Sequence, residues 1–128
     1  MQLSSKWKNK NFIGSVKCTL NGIKHVMLNE RNFKIQLCFA IVAIVCGIVL
    51  KISYIEWCII SFAVFFVLVS ELFNTAIEKT VDLCTDKYNE IAKVAKDVSS
   101  GAVLLAAINS VVIGVIIFLP KIIEFIGK

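Results

Sequence analysis

At 128 residues, 58% of them hydrophobic and with a mean hydropathy of +0.82, the chain is at most one domain and too apolar for an ordinary soluble protein. Its net charge of +5 comes from lysines that are scattered and lack interleaved aromatics, which disfavours nucleic acid and points to anionic lipid headgroups as the partner. The five cysteines, Cys18, Cys38, Cys46, Cys58 and Cys84, form no CxxC pair and three lie in apolar runs, so neither a disulfide framework nor a metal-thiolate site is expected.

The first thirty residues lack the apolar core and small-residue cleavage site of a signal peptide, so the start of the chain is expected to be retained. Phe12, Ile13, Val16, Leu20, Ile23 and Met27 share an arc of about 100° on a helix, with Lys10, Lys17, Asn21 and Lys24 off it. The pattern predicts an amphipathic helix over residues 6–29, lying in the membrane surface or packed in part on protein. His25, the only histidine, has no evident partner to orient it and is read as a surface residue. Glu30 is the sole acid among the first 55 residues. A lone Glu among lysines is ordinarily a surface ion pair, but its place just before the first apolar run makes it a candidate metal ligand.

Three apolar stretches, residues 33–54, 55–77 and 101–123, each approach the ~20 residues needed to cross a bilayer. The expected fold is therefore an all-α integral membrane protein with three transmembrane helices plus the surface helix. Lys34 and Lys51 flank the first span, and Trp57 suits the interfacial belt at the start of the second. Residues 1–34 and 71–100 together hold eleven basic groups, against three elsewhere. The positive-inside rule then puts the N-terminus and the 71–100 segment in the cytoplasm, where ATP and Mg²⁺ are available. Asp86 to Asp97 reads as a polar connection, and Pro120 as the end of the third span. Asn109 and Ser110, at mid-depth in that span, read as bonds to a neighbouring helix.

The most informative stretch is Glu71 to Asp82, ELFNTAIEKTVD. Glu71, Asn74, Glu78 and Asp82, spaced three, four and four apart, fall in one narrow stripe of a helix. Leu72, Phe73, Ala76, Ile77 and Val81 fill the other side, which predicts a packed apolar back and an acidic front. Acidic helix faces are usually only solvated. Here, however, the thirteen residues before Glu71 carry no charge, so the stripe begins where a span leaves lipid, and ionisable groups at that depth usually mark a site. Counted from Trp57, Glu71 is ~21 Å along the helix against a hydrocarbon core of ~30 Å. A cation is expected against these carboxylates.

No GxxxxGK[ST], GxGxxG or DFG occurs, and the six glycines are not clustered, which excludes a phosphate-cradling loop and a soluble-kinase core. His25 has no neighbours for a hydrolase arrangement. What remains is a carboxylate cluster with an Asn and a Lys, suited to Mg²⁺ and to phosphoryl transfer.

ExxNTAIExxVD at Glu71 to Asp82, AKD at Ala95 to Asp97 and NE at Asn29 and Glu30 resemble the prokaryotic diacylglycerol kinase family, small integral-membrane lipid kinases. NERNF at Asn29 to Phe33, IEW at Ile55 to Trp57, TDK at Thr85 to Lys87 and IIFLPK at Ile116 to Lys121 are similar to its Gram-positive branch, mostly undecaprenol kinases. The resemblance, over about residues 12–121, implies a homotrimer that phosphorylates a lipid alcohol, undecaprenol ahead of diacylglycerol, with ATP and Mg²⁺. It implies Glu71 as catalytic base and Glu30 and Glu78 as holders of the metal on ATP. It likewise implies Asn74, Asp82, Asp86, Lys96 and Asp97 along the nucleotide, Lys96 neutralising phosphate charge. Cys18 departs from the family, which tends to have an aromatic or His there. The rival reading from another class is a small transporter or channel subunit, whose acids should lie near the midplane rather than at one interface.

Overall fold

The computed structural model describes residues 11–127, which form four helices and no strand. The first, α1 (Phe12–Asn29), starts where the Asn11 side chain accepts a hydrogen bond from the Gly14 N–H at 3.0 Å, satisfying one of the donors a helix N-terminus leaves unpaired. Residues 6–10 of the expected surface helix lie outside the described residues. Glu30 alone joins α1 to α2 (Arg31–Val49), its extended backbone (φ −91°, ψ 119°) turning the chain within one residue.

Residues 50–53 reverse the chain, with Lys51 in the left-handed region at φ 51°. There α3 (Tyr54–Cys84) opens on a reciprocal cap. The Ser53 hydroxyl accepts the Glu56 N–H at 3.4 Å, and the Glu56 carboxylate accepts the Ser53 N–H at 2.6 Å. After a short connection, α4 runs over Glu90–Ile126. The helices α2, α3 and α4 are each long and apolar enough to cross a membrane, as the three apolar stretches require of a multi-pass protein. At 31 and 37 residues, α3 and α4 reach about 46 and 55 Å, well beyond a ~30 Å hydrocarbon core.

Two expectations about α4 are corrected. The segment from Asp86 to Asp97 is not a connection throughout, because Asn89 caps a helix at Glu90 by accepting the N–H groups of Ile91 at 2.9 Å and Ala92 at 3.1 Å. Lys96 and Asp97 are therefore helical. Nor does Pro120 stop the helix, which continues to Ile126. Proline within a membrane helix is tolerated where local packing compensates the lost backbone bond, and here the next residue, Lys121, pairs with Glu56 at 3.2 Å. That ion pair fastens the far end of α4 to the start of α3.

The main packing is between α3 and α4, with α2 alongside. Without a hydrophobic driving force in lipid, membrane helices associate through close backbone approach at small residues. The buried Ala40 and Gly47 of α2, Ala63 of α3 and Ala106 of α4 fit that rule. At Gly47 a β-carbon would meet the Trp57 ring at 2.7 Å. The indole is thus half-buried on protein beside Ile52, Ile60 and Ile117, and does not simply project as an interfacial anchor.

Candidate active site

Along α3 the 3-4-4 spacing does form one stripe, but the orientation of its Glu71–Asn74 half is the reverse of the expected one, while Asp82 at its other end is exposed. Glu71, Asn74 and Thr75 are buried, with Glu71 only 2% exposed, whereas Phe73 and Ile77 are exposed. The physical reason is the solvent: in lipid the apolar side turns outward, and the polar stripe faces the neighbouring helices, where it finds partners.

Two non-local contacts define its upper part. Gln36 of α2 donates through Nε2 to Glu71 Oε2 at 3.1 Å. Ser99 of α4 lies with its hydroxyl 2.6 Å from Asn74 Oδ1 and 2.9 Å from the Lys96 carbonyl. Asn74 in turn donates through Nδ2 to Glu78 Oε1 at 3.1 Å. With its oxygen engaged by Ser99 and its nitrogen by Glu78, the Asn74 amide is held in one orientation. Glu30, half-buried at the elbow, and Glu78 are both within electrostatic reach of Glu71. Among the described residues no Lys or Arg forms an ion pair with Glu71, and its buried carboxylate is held by the Gln36 amide instead.

About 16 Å further along α3, beyond the apolar run, Asp82 receives a hydrogen bond from Lys96 Nζ at 2.6 Å. That hydrogen bond holds the Asp82 carboxyl below its ordinary range and the Lys96 ammonium above its own. Asp82, Asp86 and Lys96 line one cleft of about 520 Å³ with Lys87, Tyr88 and Lys93, a volume in the range of small-ligand sites. Asp97 does not line it. It is exposed and lies 3.9 Å from Lys93. Cys18 is exposed on α1, and all five cysteines are free. His25 is exposed and does have a partner, Asn29, with Nδ2 to Nδ1 at 3.3 Å.

Below Glu71 an apolar groove of about 410 Å³ runs between α2, α3 and α4, from Gln36 and Phe39 at one end to Phe118 at the other. Ser110 is on its wall, as is Cys46. Gln36, Ser99, Thr75, Lys87, Tyr88 and Lys93 had no place in the expected site. Gln36 carried a signal, being the one amide inside the apolar run from Ile35 to Leu50.

Among the described residues no three His, Cys, Asp or Glu side chains converge as a metal cage. Mg²⁺ does not need one, since it keeps water or substrate phosphate on most of its six positions. Glu30 and Glu78, each within electrostatic reach of Glu71, are of the oxygen-donor type that such a metal takes.

Comparison with known proteins identifies the family. Residues 17–118 match the family described as prokaryotic diacylglycerol kinase. The chain is 46% identical to the undecaprenol kinase of Bacillus subtilis over 100 residues, 78% of this chain and 81% of that one. It is 34% identical to a diacylglycerol kinase of Synechocystis over 115 residues, 89% of this chain and 66% of that one. With the diacylglycerol kinase of Escherichia coli K12 the identity is 32% over 91 residues, 71% of this chain and 75% of that one. Matched by the family over most of its length and by relatives at 32–46% identity, this protein belongs to the prokaryotic diacylglycerol kinase family of lipid kinases.

Proposed function

We propose that the protein transfers the γ-phosphoryl group of ATP to the hydroxyl of a membrane lipid alcohol, undecaprenol in preference to diacylglycerol. The observation that carries this reading is Glu71: a carboxylate 2% exposed and held by Gln36, whose own side chain lines the end of an apolar groove. Such a group is placed to receive a proton from an alcohol whose tail stays in lipid. The 46% identity to an undecaprenol kinase supports the acceptor.

In the reaction the acceptor oxygen attacks the γ-phosphorus, the bond to the bridging oxygen breaks, ADP leaves, and the hydroxyl proton passes to Glu71. Glu30 and Glu78 would hold Mg²⁺, which when bound supplies charge neutralisation on the phosphates. Asn74 fixes Glu78 and faces the phosphates. Asp82, Asp86 and Lys96 line the nucleotide cleft, where Lys96 exchanges its Asp82 partner for phosphate, and Asp97 acts on it only through Lys93, which does line it. The site and the N-terminus face the cytoplasm, α1 lies in the membrane surface, and residues 1–128 form one kinase domain that works as a homotrimer.

The test is the initial rate of ³²P transfer from ATP to undecaprenol and to diacylglycerol at matched mole fraction in the same micelles. Preference for diacylglycerol would overturn the acceptor assignment, and no transfer to either would overturn the function. A reporter fused at Ile126 is expected to read as extracytoplasmic. A cytoplasmic signal there would reverse the topology.

A further inference from the structure

Gln36 does more than touch Glu71. Its Nε2 is spent on the Glu71 carboxylate, while its Oε1 is buried without a hydrogen-bond partner among the described residues. Leaving a buried acceptor unpaired is costly, and native structures seldom do so without a reason. The same side chain lines the end of the apolar groove nearest Glu71. The unpaired oxygen is thus found where a lipid alcohol would bring its only hydrogen-bond donor.

We infer that Gln36 is a positioning and selectivity residue for the acceptor: its amide nitrogen holds Glu71, and its amide oxygen accepts the acceptor's hydroxyl hydrogen when the lipid docks. This rests on the proposed kinase reading with Glu71 as base. In the docked state the hydroxyl donates to Gln36 Oε1. For transfer it rotates about its C–O bond so that the hydrogen points to Glu71, and the oxygen itself need not travel. The covalent changes are those already given: oxygen bonds to the γ-phosphorus, the bridging bond breaks, and the proton ends on Glu71. Gln36 gains and loses only a hydrogen bond.

The chemistry selects a class of ligand. An amide oxygen is satisfied by a donor, so an alcohol fits it and an ether or ester oxygen of the same length does not. The remaining wall is apolar apart from Ser110, with Cys46 a weak polar exception. A long-chain alcohol with a single polar handle therefore matches the groove better than a lipid bearing ester carbonyls.

The experiment compares wild type with Gln36→Met, which keeps the length and removes both hydrogen-bonding groups. Measured are the KM for a short-chain polyprenol, the KM for MgATP, and the Ki of the same polyprenol as its methyl ether, which fills the groove but has no hydrogen to donate. In the variant the polyprenol KM is expected to rise about tenfold, with the ether Ki and the KM for MgATP within twofold of wild type. The unchanged ether Ki shows that the groove is intact. A polyprenol KM that does not move overturns the inference, and so does a polyprenol KM and ether Ki that rise together, which would make Gln36 a shape element only. If wild type phosphorylates no lipid alcohol, the kinase reading fails first. If it does and the variant behaves as wild type, only the role of Gln36 fails.

Discussion

The Ser99 hydroxyl lies 2.6 Å from Asn74 Oδ1, and both residues are buried, 6% exposed each. This contact joins α4 to α3 at the level of the proposed phosphate site. Replacing Ser99 with Ala leaves the Asn74 oxygen without its α4 donor and releases the amide that orients Glu78. Ser99→Ala is expected to lower stability by about 1 kcal/mol and to raise the Mg²⁺ concentration needed for half-maximal activity. Thermal unfolding in detergent micelles and an Mg²⁺ titration of turnover check the two effects, and an unchanged Mg²⁺ requirement would separate Asn74 from Glu78 function.

Glu71→Gln retains the size of the side chain and removes the base. Turnover is expected to fall by at least ~10²-fold, with MgATP affinity close to wild type. Equilibrium binding of a fluorescent ATP analogue beside a transfer assay makes the comparison. Near-normal turnover would show that another group takes the proton.

Gly47→Ala places a methyl group 2.7 Å from the Trp57 ring, at a position where the ring is wedged among Ile52, Ile60 and Ile117. Overpacking of this kind costs about 1–3 kcal/mol. The expected result is a lower unfolding temperature that is partly restored when Trp57→Phe is added, since the smaller ring makes room. Equal losses in the single and double variants would mean that the strain is taken up elsewhere.

The Lys96–Asp82 pair gives a pH prediction. Asp82 is held below its ordinary range, so its contribution is present at higher pH and is lost as pH falls through the depressed value. Lys96 is held above its ordinary range, so its contribution is present at lower pH and is lost as pH rises through the raised value. Between about pH 5 and 9 the pair is constant. Asp82→Asn is therefore expected to leave the shape of the pH–rate profile unaltered in that window. Lys96→Gln is expected to raise the KM for MgATP about tenfold with little change in unfolding temperature, because the pair is solvent-accessible, 40% and 56% exposed. A bell-shaped profile that flattens in Asp82→Asn would assign the titration to this pair.

The helices and the polar stripe of α3 were legible because both are local patterns: uninterrupted apolar runs, and a 3-4-4 spacing that only a helix brings to one side. The direction of that stripe was not, because an amphipathic pattern states which residues share a face and leaves the identity of the solvent open. Phe73 and Ile77 would be core residues in water and are exposed here. The start of α4 was hidden by its charge, although Asn89 followed by Glu90, Ile91 and Ala92 is a serviceable cap. Gln36 and Ser99 are 35 and 25 residues from their partners. Sequence spacing says nothing about contacts of that range, so the hydrogen bonds that orient Glu71 and Asn74 emerged only from the packing.

Glu30 is both the whole of the joint between α1 and α2 and a carboxylate within electrostatic reach of Glu71. A hinge and a ligand are usually separate residues that drift independently. With α1 in the membrane surface as proposed, any tilt of that helix is taken up in the backbone of the residue that would carry the metal, so lipid thickness and surface charge gain mechanical access to the proposed catalytic centre. Inserting one residue after Glu30 would then leave every proposed site side chain present and still uncouple α1 from the proposed chemistry.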